Sequence, residues 1–194
     1  MELSTVAIGL LISIELGYFV KTFIYTIGSR WLTSKIHPLA SSKIYGVCST
    51  RDVDFMLNHI NNSRYLRAMD FGRLDHIVRS RVLTLTGRDK PKLLVAASTI
   101  RYRKPIYIFM PYRLISQIVY WDEKNIYYKQ NFETLHDNFL RVTGYVKVAV
   151  IGTSPHELLS KCMTESVPTP EVTEDLGHWI KFLKSNSECL KKLR

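Results

Sequence analysis

The chain has 194 residues, 46% of them apolar and 23% charged, with 27 Lys and Arg against 17 Asp and Glu and a formal charge of +10. That length fits one domain with an appendage, and the composition excludes wholesale disorder. The charge suits a solvated basic surface, or one that faces a polyanionic ligand or anionic lipid headgroups. Nucleic acid is not expected as a partner, because zinc-finger spacing, an RNP-like aromatic motif and a Gly-rich RNA-binding tract are all missing.

Residues Leu3 to Ile27 form a mostly apolar run, long enough for a membrane-spanning helix of ~20 residues. Glu15 near its middle opposes insertion, and a buried N-terminal helix is the alternative. Glu2 in place of a basic n-region argues against a cleaved signal peptide. Lys21, Arg30 and Lys35 follow the run, so the positive-inside bias puts the rest of the chain in the cytosol. The C-terminal Lys191-Lys192-Leu193-Arg194 has the dilysine form of a retrieval signal, which points to the endoplasmic reticulum membrane. Cys48, Cys162 and Cys189 are odd in number and far apart, which suits a reducing compartment better than a disulfide framework or a metal site.

His37-Pro38 through Ser42 reads as a linker, and Lys43 to Ser49 as a strand. After a loop over Thr50 to Asn62, helix signals run from Ser63 to about Val82. Tyr65, Leu66, Met69, Ile77 and Val78 share its apolar side, with Arg64, Arg67, Asp70 and Arg73 largely off it. Asp70 and His76 are expected to face solvent or a neighbouring subunit. Strand-like texture follows over Leu93–Tyr107, Tyr112–Trp121, Ile126–Thr134 and Phe139–Ile151, the last three joined by short turns as an antiparallel meander. Thr153-Ser154-Pro155-His156-Glu157 opens a short helix, and Glu171 to Leu190 is a final helical segment.

One strand, a long helix and then a meander give an α+β architecture in which the sheet wraps the helix, a hotdog fold. The domain reading is an N-terminal membrane anchor and flank over 1–36, a hotdog domain over 37–165, and a C-terminal helical extension with a basic tail over 166–194.

The chemistry concentrates in Arg51 to Tyr65, where Asp52 and Asp54 lead through an apolar triplet to His59, Asn61 and Asn62, just before a helix. Asn and Ser are good N-caps, so an acid, an imidazole and a positive helix end lie within a few residues of each other. Such a set can polarise a carbonyl. The bland alternatives are a loop-capping role for Asp54, a packing or hydrogen-bonding role for His59, and structural caps in Asn61 and Asn62. Asn61-Asn62-Ser63 also matches the N-glycosylation pattern, which cytosolic placement leaves unused.

Asp52-x-Asp54 with His59-x-Asn61-Asn62-x-Arg64-Tyr65-Leu66 resembles the signature of the 4-hydroxybenzoyl-CoA-type and acyl-ACP-type hotdog thioesterases. Arg67-Ala68-Met69-Asp70-Phe71, Ile151-Gly152-Thr153-Ser154-Pro155 and Pro170-Glu171…His178-Trp179-Ile180 extend the likeness to the family of thioesterase superfamily member six. The resemblance implies a homodimer whose sites lie at the subunit interface, and a ligand that is an acyl-CoA or another acyl thioester. It implies Asp54 and His59 as catalytic residues and Asn61, Asn62, Ser63 and Tyr65 as substrate contacts, with Asn58 of this chain expected as a further contact in place of a missing family amide. No metal or redox cofactor is required. Two departures stand out: Met56 replaces an asparagine of the acyl-ACP members, and one extra residue, Asn58, separates the acid from His59. Hydrolysis of acyl-CoA and a non-catalytic role in acyl-lipid binding or scaffolding therefore both remain open.

Overall fold

The computed structural model describes residues 16–82, 91–163 and 168–192. Helical structure begins with α1, Leu16–Phe23, continues through a π-helical turn at Ile24–Gly28 and ends in the single turn α2, Ser29–Leu32. Then come β1 (Ser42–Val47), α3 (Asn62–Arg79), β2 (Lys92–Tyr102), β3 (Pro111–Trp121), β4 (Asn125–Thr134) and β5 (Leu140–Ile151). Two helices close the described chain, α4 (Pro155–Ser160) and α5 (Glu174–Lys191).

The five strands form one antiparallel sheet in the order β1-β3-β4-β5-β2. β3, β4 and β5 are the expected meander, and the two strands flanking α3 in sequence take the two outer positions. α3 packs on one face of the sheet and shares one core with it, through Tyr65, Met69, Ile77, Leu114, Ile118 and Phe132. Gly72 permits the close approach: a Cβ there would stand 2.6 Å from Ser116 Oγ and 2.8 Å from Leu114 Cδ2. This is the hotdog arrangement.

Burial of α3 differs from its expected apolar stripe. Arg73 is 6% exposed, and His76 is fully buried rather than facing solvent or a neighbour. Both carry partners that replace water, as buried polar groups require. Arg73 Nη1 donates to Gln130 Oε1 at 2.6 Å, and its Nη2 pairs with Asp70, whose side chain is largely exposed. His76 Nε2 donates to the Ala40 carbonyl at 2.9 Å, and Nδ1 accepts from the Tyr128 hydroxyl at 3.3 Å.

A neutral ring fits that pair of bonds, and burial pushes the His76 pKa down to about 4. The folded state thus refuses a proton that the unfolded chain takes up near pH 6.5. Stability from this residue is complete above about pH 6.5 and is lost as pH falls toward 4, by on the order of 2–4 kcal/mol. Urea melts at pH 7 and pH 4.5 should show that loss in the parent, and a flatter dependence in His76→Gln.

The far face of the sheet is covered by the C-terminal extension. Leu176 of α5 is fully buried against Tyr127 and Tyr145, with Trp179 and Ile180 packed beside it. Tyr145 donates to Asp175 Oδ2 at 2.6 Å and stacks on Trp179 at 6.2 Å. The first turns of α5 are part of the domain's packing, and its later turns are exposed.

At the other end, α1 packs on α3. Tyr18 and Tyr25 both meet Phe71 at 5.5 Å, Arg67 sits 4.7 Å over the Tyr18 ring, and Ser29 Oγ donates to Asp75 at 2.9 Å. The outer side of α1, the π-helical turn and α2 leaves Phe19, Phe23, Ile24, Ile27 and Trp31 exposed. Among the described residues no helix is long and apolar enough to cross a membrane. The expected spanning helix over 3–27 begins outside the described residues, and its portion from Leu16 onward packs on the domain.

Candidate active site

The loop between β1 and α3 folds back on itself. Val53 and Ile60 form an antiparallel bridge, Asp54 N–H donates to the His59 carbonyl at 3.0 Å, and Leu57 N–H closes the turn on the Asp54 carbonyl at 3.0 Å. This small hairpin makes Asp54 and His59 neighbours across its two arms despite the extra residue between them. Neighbouring backbone fixes its position: Ile60 N–H donates to Ile106, Ile108 N–H to Asn58, and His59 bridges Tyr107.

Asp54 Oδ2 lies 3.6 Å from His59 Nε2, with the two side chains 11% and 33% exposed. Asp54 Oδ1 is buried and accepts no hydrogen bond from any described residue. A buried carboxylate oxygen with no donor is costly, of order 1–3 kcal/mol or more, unless it serves an incoming group. His59 Nδ1 donates to the Asn58 amide oxygen. Asn58 therefore orients the imidazole.

Backbone strain marks the same loop. Leu57 has φ 56°, and Phe109, on the segment packed beside the hairpin, has φ 64°. Left-handed geometry at a non-glycine residue costs about 1–3 kcal/mol and gathers where a site holds its shape. The tip between them is apolar and outward: Phe55 is 91% exposed, with Met56, Leu57, Tyr107 and Phe109 also exposed.

The hairpin delivers the chain to the start of α3. Asn61 is the N-cap, its Oδ1 accepting from Ser63 N–H at 2.9 Å and from Ser63 Oγ at 2.8 Å. Asn61 N–H donates to the Asp52 carbonyl at 2.8 Å. Of the three residues expected to offer carbonyl donors, Asn61 and Ser63 thus have their amides engaged, which leaves the Asn62 N–H at the positive helix end. The cap makes a separate stability test. Asn61→Ala should cost about 1 kcal/mol, and Asn61→Asp, which caps as well, should retain the parental melting temperature.

Tyr65 sits one turn on, buried against Phe132 at 5.1 Å and Tyr102 at 5.5 Å, and burial pushes its hydroxyl up to about 12. It holds the helix on the sheet and lines a cavity of about 800 Å³ between α1, β1 and α3. Asp52, whose Oδ2 accepts from Ser49 N–H and Oγ, stands at that cavity's edge. The contributions of Lys21 and Arg51 to the cavity wall were not among the sequence expectations, and no local motif marks them.

The family model for the Thioesterase-like superfamily matches residues 48–180, from the end of β1 into α5. The chain belongs to that superfamily. It is similar to Protein THEM6 of Drosophila melanogaster, 32% identical over 178 residues and 92% of each chain. Among solved structures it resembles a 1,4-dihydroxy-2-naphthoyl-CoA thioesterase from Synechocystis, with TM-score 0.56 and 9% identity over 66% of this chain and all of that one. It also resembles the Staphylococcus aureus protein SAV2348 in complex with CoA, with TM-score 0.52 and 15% identity over 75% and 97% of the two chains. These structural likenesses carry the hotdog fold. The superfamily match begins after α1 and β1, so the α1 wall of the cavity lies outside the matched region.

Proposed function

We propose that the chain binds acyl-CoA-type thioesters and hydrolyses them to free acid and CoA. The observation that carries this reading is the Asp54 carboxylate, buried with one oxygen lacking a donor, beside His59 and just ahead of the α3 N-terminus. As general base, Asp54 takes a proton from water while the oxygen attacks the thioester carbonyl carbon. The oxyanion that forms is met by the Asn62 N–H and the helix's positive end. Collapse breaks the C–S bond, and the thiolate leaves with a proton returned through the Asp54–His59 pair. Superfamily membership and the likeness to a CoA-bound protein support the choice of thioester.

A non-catalytic acyl-binding or scaffolding role has one feature in its favour. The separation of 3.6 Å between Asp54 and His59 is longer than a hydrogen bond, so the pair is not yet joined. Thiol release from acyl-CoAs of graded chain length, by the full chain in phospholipid nanodiscs, decides between the two. Turnover above the spontaneous rate is expected. A folded chain that binds acyl-CoA and releases no thiol at any chain length would overturn hydrolysis and leave the binding role.

The proposal includes a homodimer and a membrane placement. β2 is an outer strand of eleven residues, hydrogen-bonded on one side to β5, with Leu94 and Val95 exposed. Long open edges invite strand pairing, which supports a second copy joining the sheet there. The apolar run from Leu3 and the outward Phe19, Phe23, Ile24, Ile27 and Trp31 support contact with a bilayer, here the endoplasmic reticulum membrane with the domain in the cytosol.

A further inference from the structure

The cavity between α1, β1 and α3 has a chemistry of its own. Its volume of about 800 Å³ falls within the ~300–1,000 Å³ typical of small-molecule sites. Its apolar walls are aromatic and aliphatic, with Tyr18 from α1, Tyr25 from the π-helical turn, Ile44 from β1, Ala68 and Phe71 from α3, and Phe132 from the sheet behind. The charged residues of the lining are mostly basic: Lys21, Arg51, Arg64 and Arg67 against the single carboxylate of Asp52. Asp52 is already held by Ser49 through two hydrogen bonds. α1 comes so close to the loop that a Cβ on Gly17 would lie 3.2 Å from Arg51 Nη1.

A greasy chamber with a cationic portion matches an amphiphile with one alkyl chain and an anionic end. The wall supplied by α1 continues an apolar run from Leu3 in the sequence, and the outer side of the same helix exposes Phe19 and Phe23. A chain dissolved in a bilayer would therefore meet α1 before it meets the rest of the domain.

We propose that this cavity is a binding site for a single-chain anionic lipid, with α1 as one of its walls and Lys21 and Arg51 holding the anionic group. α1 is then part of the ligand site as well as a tether. The inference goes beyond the proposed hydrolysis and does not depend on Asp54 being a catalyst. The anionic group shared by the eligible ligands is a carboxylate or a phosphate, carried by a free fatty acid or by an acyl-CoA.

The test uses the full chain in phosphatidylcholine nanodiscs and a long-chain fatty acid bearing a mid-chain diazirine. After illumination, adducts are mapped by peptide mass spectrometry. Adducts are expected on the inward residues Tyr18, Tyr25, Ala68 and Phe71. Ala68→Trp, which fills the chamber, should reduce them by at least ~10-fold, the equivalent of 1.4 kcal/mol in affinity. Competition by palmitate, palmitoyl-CoA and hexadecanol separates the sources. Lys21→Glu and Arg51→Glu should weaken the two anionic competitors and spare the neutral alcohol. These charge variants alter exposed side chains, so they remain informative should Ala68→Trp fail to fold. Stronger competition by palmitate would identify a fatty-acid site, and stronger competition by palmitoyl-CoA an acyl-CoA site. Asp54→Asn should label like the parent, which keeps this result separate from any failure of hydrolysis. Adducts confined to Phe19, Phe23 and Ile27 would show bulk bilayer contact only and would overturn the proposal. So would parental labelling in a folded Ala68→Trp, or equal loss of acid and alcohol binding in the charge variants.

Discussion

Asp54→Asn is expected to lower thiol release from acyl-CoA by ~10²–10⁴-fold, the usual contribution of a positioned general base. The substitution keeps the shape of the side chain and removes its capacity to take a proton. Stability should not fall. Asp54 Oδ1 receives no hydrogen bond from a described residue, and the nearby His59 is one-third exposed, where ion pairs contribute only ~0–1 kcal/mol. The loss should fall on kcat with KM nearly constant, because the base acts in the transition state and not in holding the thioester. His59→Ala should show a smaller loss, since the ring meets Asp54 from 3.6 Å and is itself steered by Asn58. Parental turnover in a folded Asp54→Asn would make the carboxylate a loop residue and move the base elsewhere.

The parts of this site that were legible in the sequence are those set by local chemistry. Asn61 before a long helix reads as a cap because its side chain is short and its neighbours are helix formers, and it is the cap. The meander is legible from branched and aromatic runs divided by turn clusters such as Asp122 to Asn125, where Asp122 accepts from the Lys124 and Asn125 amides. The pairing of Asp54 with His59 is a different matter. It depends on the Val53–Ile60 bridge, and nothing in VDFMLNHI alternates in a way that announces a hairpin. The left-handed Leu57 that allows the turn is a residue type that avoids that geometry. The wall formed by α1 was hidden for another reason. An apolar run reads alike whether it meets lipid, protein or both, and here Tyr18 and Tyr25 turn to Phe71 as Phe19 and Phe23 turn away.

Arg73 shows why helical periodicity misassigned the faces of α3. A helix wrapped by a sheet on one side and flanked by α1 and the linker is buried around most of its girth, so polar positions fall inside. Those positions are then held by distant partners that no local window contains. Gln130, fully buried on β4, is the hub: it accepts from Arg73 Nη1 and donates to the Met69 carbonyl at 2.9 Å and to Ser116 Oγ at 2.7 Å. Gln130→Leu removes that acceptor and leaves a guanidinium nitrogen uncompensated in the core. Leaving one donor of a buried charged group unsatisfied costs about 3 kcal/mol, with Asp70 still paired to the other nitrogen. For a chain of this size that corresponds to a fall in melting temperature of roughly 6–12 °C. Arg73→Met on its own strands the Gln130 oxygen, a neutral group, and should cost less, about 1–3 kcal/mol. Combining the two replaces the charged arm of the network with apolar volume, so the double variant should recover most of what Gln130→Leu loses. Thermal melts of the parent, both single variants and the double variant form the cycle that isolates this coupling. A double variant whose loss equals the sum of the single losses would show that Arg73 and Gln130 stabilise the helix–sheet contact independently, and that the guanidinium finds another partner when Gln130 is gone.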